Sequence, residues 1–243
     1  MARIHRAAAE GFARSVGAYE RGRPDYPPEA IEHLLSLLGP QPRVLDLAAG
    51  TGKLTRPLIE AGLSVVAVEP VAEMRAALAA TARALDGTAE AIPLADASVD
   101  AVTVGQAFHW FDGDAALAEI ARVLTPGGLL ALLWNRRIAE DPANRALDAL
   151  LAPLRGSVPT HRGDAWREAF ARSSRFGPLS ERAFETVQEL DAAGIEARVG
   201  SISFVAALDP AEREVVLARA RELADDGVVT LPYRSEVHVA RRL

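Results

Sequence analysis

Between residues 43 and 134, short apolar runs alternate with helical stretches, and this alternation constrains the fold more than any other feature. Residues 43–47, 63–68, 99–104 and 129–134 are such runs, and 89–93 hold a short further strand with its exit. Strands that are apolar on every position are buried on both faces. Residues 54–61, 71–85 and 115–123 read as helices between them; Gly62 stops the first, and Thr125-Pro126-Gly127-Gly128 is a turn. The succession predicts an α/β fold with a mostly parallel sheet and helices on both faces. Right-handed crossovers make such a sheet doubly wound, Rossmann-like.

The flanks are less regular. Residues 18–28 read as a turn-rich lead-in, because Pro24, Pro27 and Pro28 block a continuous helix. Residues 29–38 then read helical from Ile31, Leu34, Leu35 and Leu38. Past residue 135, stretches 143–154 and 164–171 look helical, and Asp209 with Pro210 opens a helix as N-cap and first residue. Residues 184–190 and 234–241 alternate apolar with polar, as antiparallel strands at a sheet edge do, and are expected to pair. With no repeat, low-complexity tract or linker, residues 1–243 read as one domain: a core over about 30–136 and an elaborated half over 137–243.

Composition narrows the chemistry. The chain has 243 residues, 49% hydrophobic and 25% charged, ordinary globular values. With no Cys, disulfides, thiolate metal sites and cysteine nucleophiles are out. A net charge of −6 argues against nucleic acid as the main partner. The basic residues are almost all Arg, Lys53 being the only Lys, but the arginines are scattered and read as codon bias rather than as a phosphate site. No apolar run approaches the roughly 20 residues of a membrane span. The N-terminal stretch carries Glu10 and no apolar core, so it does not read as a secretory signal. A cytoplasmic protein is expected, of undetermined oligomeric state. His5, His33, His161 and His238 show no metal-ligand spacing, so no metal is expected.

In doubly wound sheets ligands sit beyond the carboxyl ends of the strands. After the first run stands Asp46-Leu47-Ala48-Ala49-Gly50-Thr51-Gly52. Gly50 and Gly52 allow a tight turn and close backbone approach. Asp46 is placed to hold a ligand ammonium. Glu69 ends the second run, 69 − 46 = 23 residues on, where an acid can accept both hydroxyls of a ribose. Together they indicate a nucleoside-containing cofactor. The P-loop pattern fails, since Leu47 and Leu54 stand where Gly and Ser or Thr are needed. Thr55 replaces the third glycine of the dinucleotide pattern.

Residues 44–52 resemble the first motif of class I S-adenosylmethionine-dependent methyltransferases, and 66–74 the second. Residues 87–100 resemble the third, and 122–128 the turn after strand four. Residues 19–27 and 106–112 resemble the branch holding ubiquinone/menaquinone-biosynthesis and trans-aconitate methyltransferases, and Leu231-Pro232-Tyr233-Arg234 fits its trans-aconitate-like members. The resemblance implies S-adenosylmethionine as cofactor and a small-molecule acceptor. It assigns the methionine end to Asp46 and the Gly50–Gly52 backbone, and the ribose to Glu69. The adenine falls to Met74, Ala89 and Glu90. Gln106 faces the methionine moiety, and Tyr19 and Arg23 close over its carboxylate. Ala48 departs from the family's usual glycine, so its backbone must accept a Cβ. Phe108, His109 and Trp110 fall on the acceptor side, with His109 a candidate general base. A carboxylate acceptor would need no base and would be oriented by Arg136 or Arg137. The elaborated C-terminal half is expected to cover the acceptor. A dinucleotide-dependent oxidoreductase and a non-catalytic cofactor-binding protein remain as alternatives.

Overall fold

The computed structural model describes residues 16–156, 165–225 and 227–243. The N-terminal stretch with His5 and Glu10, and also His161 and Asp164, lie outside the described residues. Seven strands form one sheet in the order β3-β2-β1-β4-β5-β7-β6. They are β1 (Arg43–Leu47), β2 (Ser64–Val68), β3 (Arg83–Leu85), β4 (Val99–Gly105), β5 (Leu124–Arg137), β6 (Ser180–Leu190) and β7 (Val229–Arg241). The first five are parallel. β7 runs antiparallel to both β5 and β6. The 184–190 and 234–241 segments therefore pair as the alternation predicts, and β6 is the edge.

The helices are α1 (Val16–Gly22), α2 (Pro28–Ser36), α3 (Thr55–Glu60), α4 (Ala72–Leu78), α5 (Gly113–Val123), α6 (Pro142–Leu151), α7 (Ala165–Arg172), α8 (Ala192–Gly200), α9 (Ser203–Ala206) and α10 (Pro210–Arg221). Asp112, Asp141, Asp191 and Asp209 cap α5, α6, α8 and α10, each accepting from a first-turn amide. No helix of the described residues is long and apolar enough to cross a membrane.

The apolar strands are buried on both faces because each face packs a different core. Val44, Ala101, Leu129, Ala131 and Leu133 join Leu34 of α2 and Leu58 of α3. The alternate residues Leu45, Leu47, Val102, Val104, Leu130, Leu132 and Trp134 join Leu117 and Ile120 of α5 and Trp166 of α7. The C-terminal half builds a third core from Leu147, Leu151, Ile195, Val199, Val216, Leu217, Leu231 and Tyr233. Emptying one of these sites, as in Leu58→Ala, costs about 2–5 kcal/mol.

Three local expectations are corrected. The Ala-rich stretch 71–85 is not one helix: α4 stops at Leu78, and Arg83–Leu85 is the true third strand, in register with Val66–Val68. Pairing to the open edge of β2 overrides alanine's helix propensity there. Residues 89–93 form no strand; Ile92 is buried as a core plug, its amide held by Glu119 at 3.0 Å. The lead-in begins as a helix, α1, with the prolines following it. The 125–128 turn survives as an irregularity inside β5, since Val99 pairs with Leu124 and Ala101 with Leu129. Helices α8 and α9 carry no sequence expectation.

Candidate active site

The order β2-β1-β4 places the switch point between β1 and β4. The chain leaves each of these two strands through a non-glycine residue in the left-handed region, Ala48 at φ 55° and Gln106 at φ 59°. Each costs about 1–2 kcal/mol for a residue with a Cβ. Such strain concentrates at functional sites. Gln106 is held by its amide on Leu133 O at 2.8 Å and by a side-chain hydrogen bond with Tyr26, whose phenol burial pushes well above the usual range.

A cleft opens between these strand ends. Glu69 forms part of its wall and is only 4% exposed. Its Oε2 accepts from the Gly50 amide and its Oε1 from the Val71 amide, both at 2.8 Å. Burial raises its pKa, while the two amides and Arg75 oppose the rise. Each carboxylate oxygen keeps one lone pair for a ligand. Pro70, Val71, Met74 and Ala89 give it apolar walls, and Glu90 lines it as well. Tyr19, Ala48, Gly50, Gln106, Trp110 and Phe111 surround the rest. A Cβ on Gly50 would stand 3.8 Å from Met74 Sδ and 4.0 Å from the Tyr19 hydroxyl, inside the cleft.

Residues 45–132 match the methyltransferase domain family. An uncharacterized methyltransferase of Mycobacterium tuberculosis is 44% identical over 233 residues, covering 91% of both chains. The chain belongs to the class I S-adenosylmethionine-dependent methyltransferases. A further uncharacterized methyltransferase, from Schizosaccharomyces pombe, is 33% identical over 243 residues and covers 93% of this chain and 96% of its own. The fold is shared by an S-adenosylmethionine-dependent methyltransferase of Thermotoga maritima, with TM-score 0.57 and 20% identity over 96% of this chain and 99% of that one.

This methyltransferase brings Tyr19, Ala48, Gly50, Glu69, Met74, Ala89, Glu90, Gln106 and Trp110 to one cleft. Five other expected site residues do not line it. Asp46 is fully buried beneath the turn; its Oδ2 accepts from Thr55 Oγ1 at 2.6 Å and its Oδ1 from Thr103 Oγ1 at 2.9 Å. Burial raises its pKa to about 6 against those two hydroxyls. Gly52 is a packing glycine, since a Cβ there would meet Leu78 Cδ1 at 2.6 Å, and its amide closes the turn on Ala49 O. Phe108 is a core residue, 1% exposed, with Phe111 and Phe170 each 5.5 Å away between ring centroids. His109 sits behind Trp110, ring centroids 5.1 Å apart, and burial with the Arg23 charge lowers its pKa to about 4. Arg23 reaches Ser201 rather than the cleft, through Nε on Oγ at 3.0 Å and Nη2 on the carbonyl at 2.9 Å.

Arg136 pairs with Glu236 at 3.4 Å, and Arg137 pairs with Asp148. The fold also gathers Glu181, Glu236 and His238, which no sequence spacing announces. The Arg167 and Arg136 guanidiniums neutralise the two carboxylates, so the group is an ion network locking β6 to β7. Pro70, Val71 and Phe111 also line the cleft, although no role was assigned to them from the sequence, and Tyr26 holds Gln106 without lining it; the three apolar residues carry no signal of their own beyond standing within a motif.

Proposed function

We propose that this enzyme methylates a small-molecule acceptor, with S-adenosylmethionine lying across the ends of β1 and β4. In this reading Glu69 accepts the ribose hydroxyls. Val71, Met74 and Ala89 pack on the adenine, and Glu90 takes its amino group. The Gly50 backbone, Gln106 and Tyr19 flank the methionine moiety. The observation that carries the reading is the Glu69 carboxylate, fixed in the cleft wall by the Gly50 and Val71 amides. A cleft with an apolar lining and a fixed carboxylate suits a nucleoside with an amino-acid tail. Asp46 acts at one remove, bracing the turn through Thr55 and Thr103. A cytoplasmic location belongs to the same reading.

When bound, the cofactor supplies a methyl group already activated by its sulfonium. The protein's task is to align and to exclude water. Trp110 and Tyr19 wall the cleft, and such positioning contributes roughly 7–11 kcal/mol. His109 with a pKa near 4 is neutral at ordinary pH and a weak base, and its ring packs against Trp110, which lines the cleft. We read it as a positioning residue for Trp110.

Calorimetry with S-adenosylhomocysteine and with NADH tests the cofactor half of this reading. Binding of the first and not the second is expected. The reverse result, or no binding of the first, overturns it. Labelled-methyl transfer to a metabolite panel tests the acceptor half, and label appearing only on protein or nucleic acid would refute it.

A further inference from the structure

Arg23, Arg137 and Arg198 come from three distant parts of the chain and gather around Tyr233. Arg137 of β5 stands directly opposite Tyr233 across the β5–β7 ladder. Tyr233 is fully buried in the third core, and its hydroxyl joins β7 to two other elements. It accepts from Nε of Arg198, on α8, at 3.1 Å, and donates to Oε1 of Gln188, on β6, at 3.3 Å. Arg198 is 6% exposed, and its Nη1 has no hydrogen-bond partner. A phenylalanine ring would fill the same space in the core, so packing does not account for the hydroxyl.

Both of its partners lead on to α1. Gln188 donates from Nε2 to Gly22 O, at the last residue of that helix, at 3.0 Å. Ser201, which caps α8, donates its hydroxyl to Arg198 O at 2.7 Å. Ser201 in turn receives the Arg23 guanidinium, Nε on Oγ at 3.0 Å and Nη2 on the carbonyl at 2.9 Å. That guanidinium lies 5.1 Å from the ring centroid of Tyr19, a cleft residue. Burial raises the pKa of the Tyr19 phenol; the Arg23 and Arg198 charges oppose the rise and Glu69 adds to it. The phenol therefore feels the arginine cluster on one side and the cofactor cleft on the other.

The helix cannot hold this place unaided. It has seven residues, of which only Gly22 is buried. Helices shorter than ~12 residues are marginal on their own, so docking sets the position of α1. Gly22 packs so closely on α8 that a Cβ would stand 2.3 Å from Ala197 C and from Arg198 N. Toward the cofactor half, Glu20 pairs with Arg56 at 3.0 Å, but both side chains are about a third exposed, and such pairs hold little. The ties through Gln188 and through Ser201 both run back to residues that the Tyr233 hydroxyl fixes.

We propose that the Tyr233 hydroxyl is a positioning group for the cofactor cleft. It fixes Gln188 and Arg198, these dock α1 on the C-terminal half, and α1 holds Tyr19 over the turn at Gly50, where a Cβ would stand 4.0 Å from the Tyr19 hydroxyl. This rests on the methyl-transfer reading above. Displacing α1 opens one wall of the cleft and leaves Glu69 in place.

The test uses the full chain and S-adenosylhomocysteine in calorimetry. Tyr233→Phe keeps the ring and removes the hydroxyl. It should weaken binding at least ~5-fold, and in a Tyr19→Ala background it should change binding by less than ~2-fold, because the group it acts through is gone. Losses that multiply overturn the proposal, since Tyr233 then does not act through Tyr19. Unchanged affinity in Tyr233→Phe overturns it as well, whatever happens to Tm, because the hydroxyl then serves the core alone. Should circular dichroism show that Tyr233→Phe does not fold, Gln188→Leu cuts one of the two arms and decides by the same pair of measurements, with at least ~3-fold as the expected loss. If the wild-type protein does not bind S-adenosylhomocysteine, the cofactor reading fails and this proposal falls with it. Wild-type binding with multiplying losses sinks the proposal and leaves the cofactor reading standing.

Discussion

Two sets of buried charges divide this molecule. In the half built from consecutive β-α units, Asp46 and Glu69 are buried acids, and every carboxylate oxygen accepts a hydrogen bond from the fold itself. In the C-terminal half, Arg198 is a buried cation and Arg137 a largely buried one, and each keeps a nitrogen with no hydrogen-bond partner. The first arrangement is complete before any ligand arrives, which is what a preorganised cofactor site requires. The second leaves two of its donors without a hydrogen-bond partner.

The strongest way to break this contrast is Gly50→Val. A β-branched side chain would stand inside the cleft at a φ of 59°, a region such residues avoid. S-adenosylhomocysteine binding should weaken at least ~100-fold in calorimetry, equivalent to ~3 kcal/mol, with the circular dichroism spectrum retained. Retained binding would make the turn merely structural.

Next in size is Glu69→Ala. Hydrogen bonds to a charged acceptor contribute about 1.5–3 kcal/mol each, so binding should fall at least ~10-fold. Tm should fall as well, because the Gly50 and Val71 amides lose their acceptor. Unchanged affinity removes Glu69 from the site.

Two titrations sharpen the comparison, with opposite signs. Asp46 rises from 3.8 to about 6 on folding, so the native state binds the extra proton and stability declines as pH rises through that window. The swing is about 3 kcal/mol. Asp46→Asn should abolish this decline in denaturant midpoints, and a variant that keeps it shows that another group carries it. His109 falls from 6.5 to about 4, so its contribution is full above 6.5 and is lost as pH drops toward 4. His109→Asn should flatten that loss, of about 3 kcal/mol. Turnover of the wild type should hold steady through 6.5; a fall at that pH, absent in His109→Ala, would restore His109 as the base.

The smallest effect concerns Ala48→Gly. Relief of left-handed strain is worth about 1–2 kcal/mol, offset by about 0.5–1 for glycine's freedom in the unfolded chain. Urea unfolding should show a gain of at most ~1.5 kcal/mol with cofactor affinity unchanged. A loss instead would mean that the Ala48 methyl packs against something the turn needs.

Much of the fold was legible because its signals are local. Apolar runs marked β1, β2, β4 and β5, and alternation marked β6 and β7. The third strand was not legible: Arg83–Leu85 sits in an alanine-rich helical pattern, and only the open edge of β2 makes it a strand. Asp46 reads the same way in sequence whether it touches a ligand or braces a turn; Thr55 and Thr103, 9 and 57 residues away, decide.

The sequence by itself determined the doubly wound sheet, the turn at Gly50 and the acid at Glu69, because each depends on residues within one β-α unit. Only the tertiary structure decided the arginine cluster. Arg23, Arg137 and Arg198 look scattered along the chain, and no periodicity links them. They converge because β7 runs back against β5, setting Tyr233 opposite Arg137, and because α1 packs so closely on α8 that a Cβ on Gly22 would stand 2.3 Å from the Arg198 amide. Register and helix packing are long-range consequences of which faces must be buried, and a charge pattern read along one dimension does not contain them.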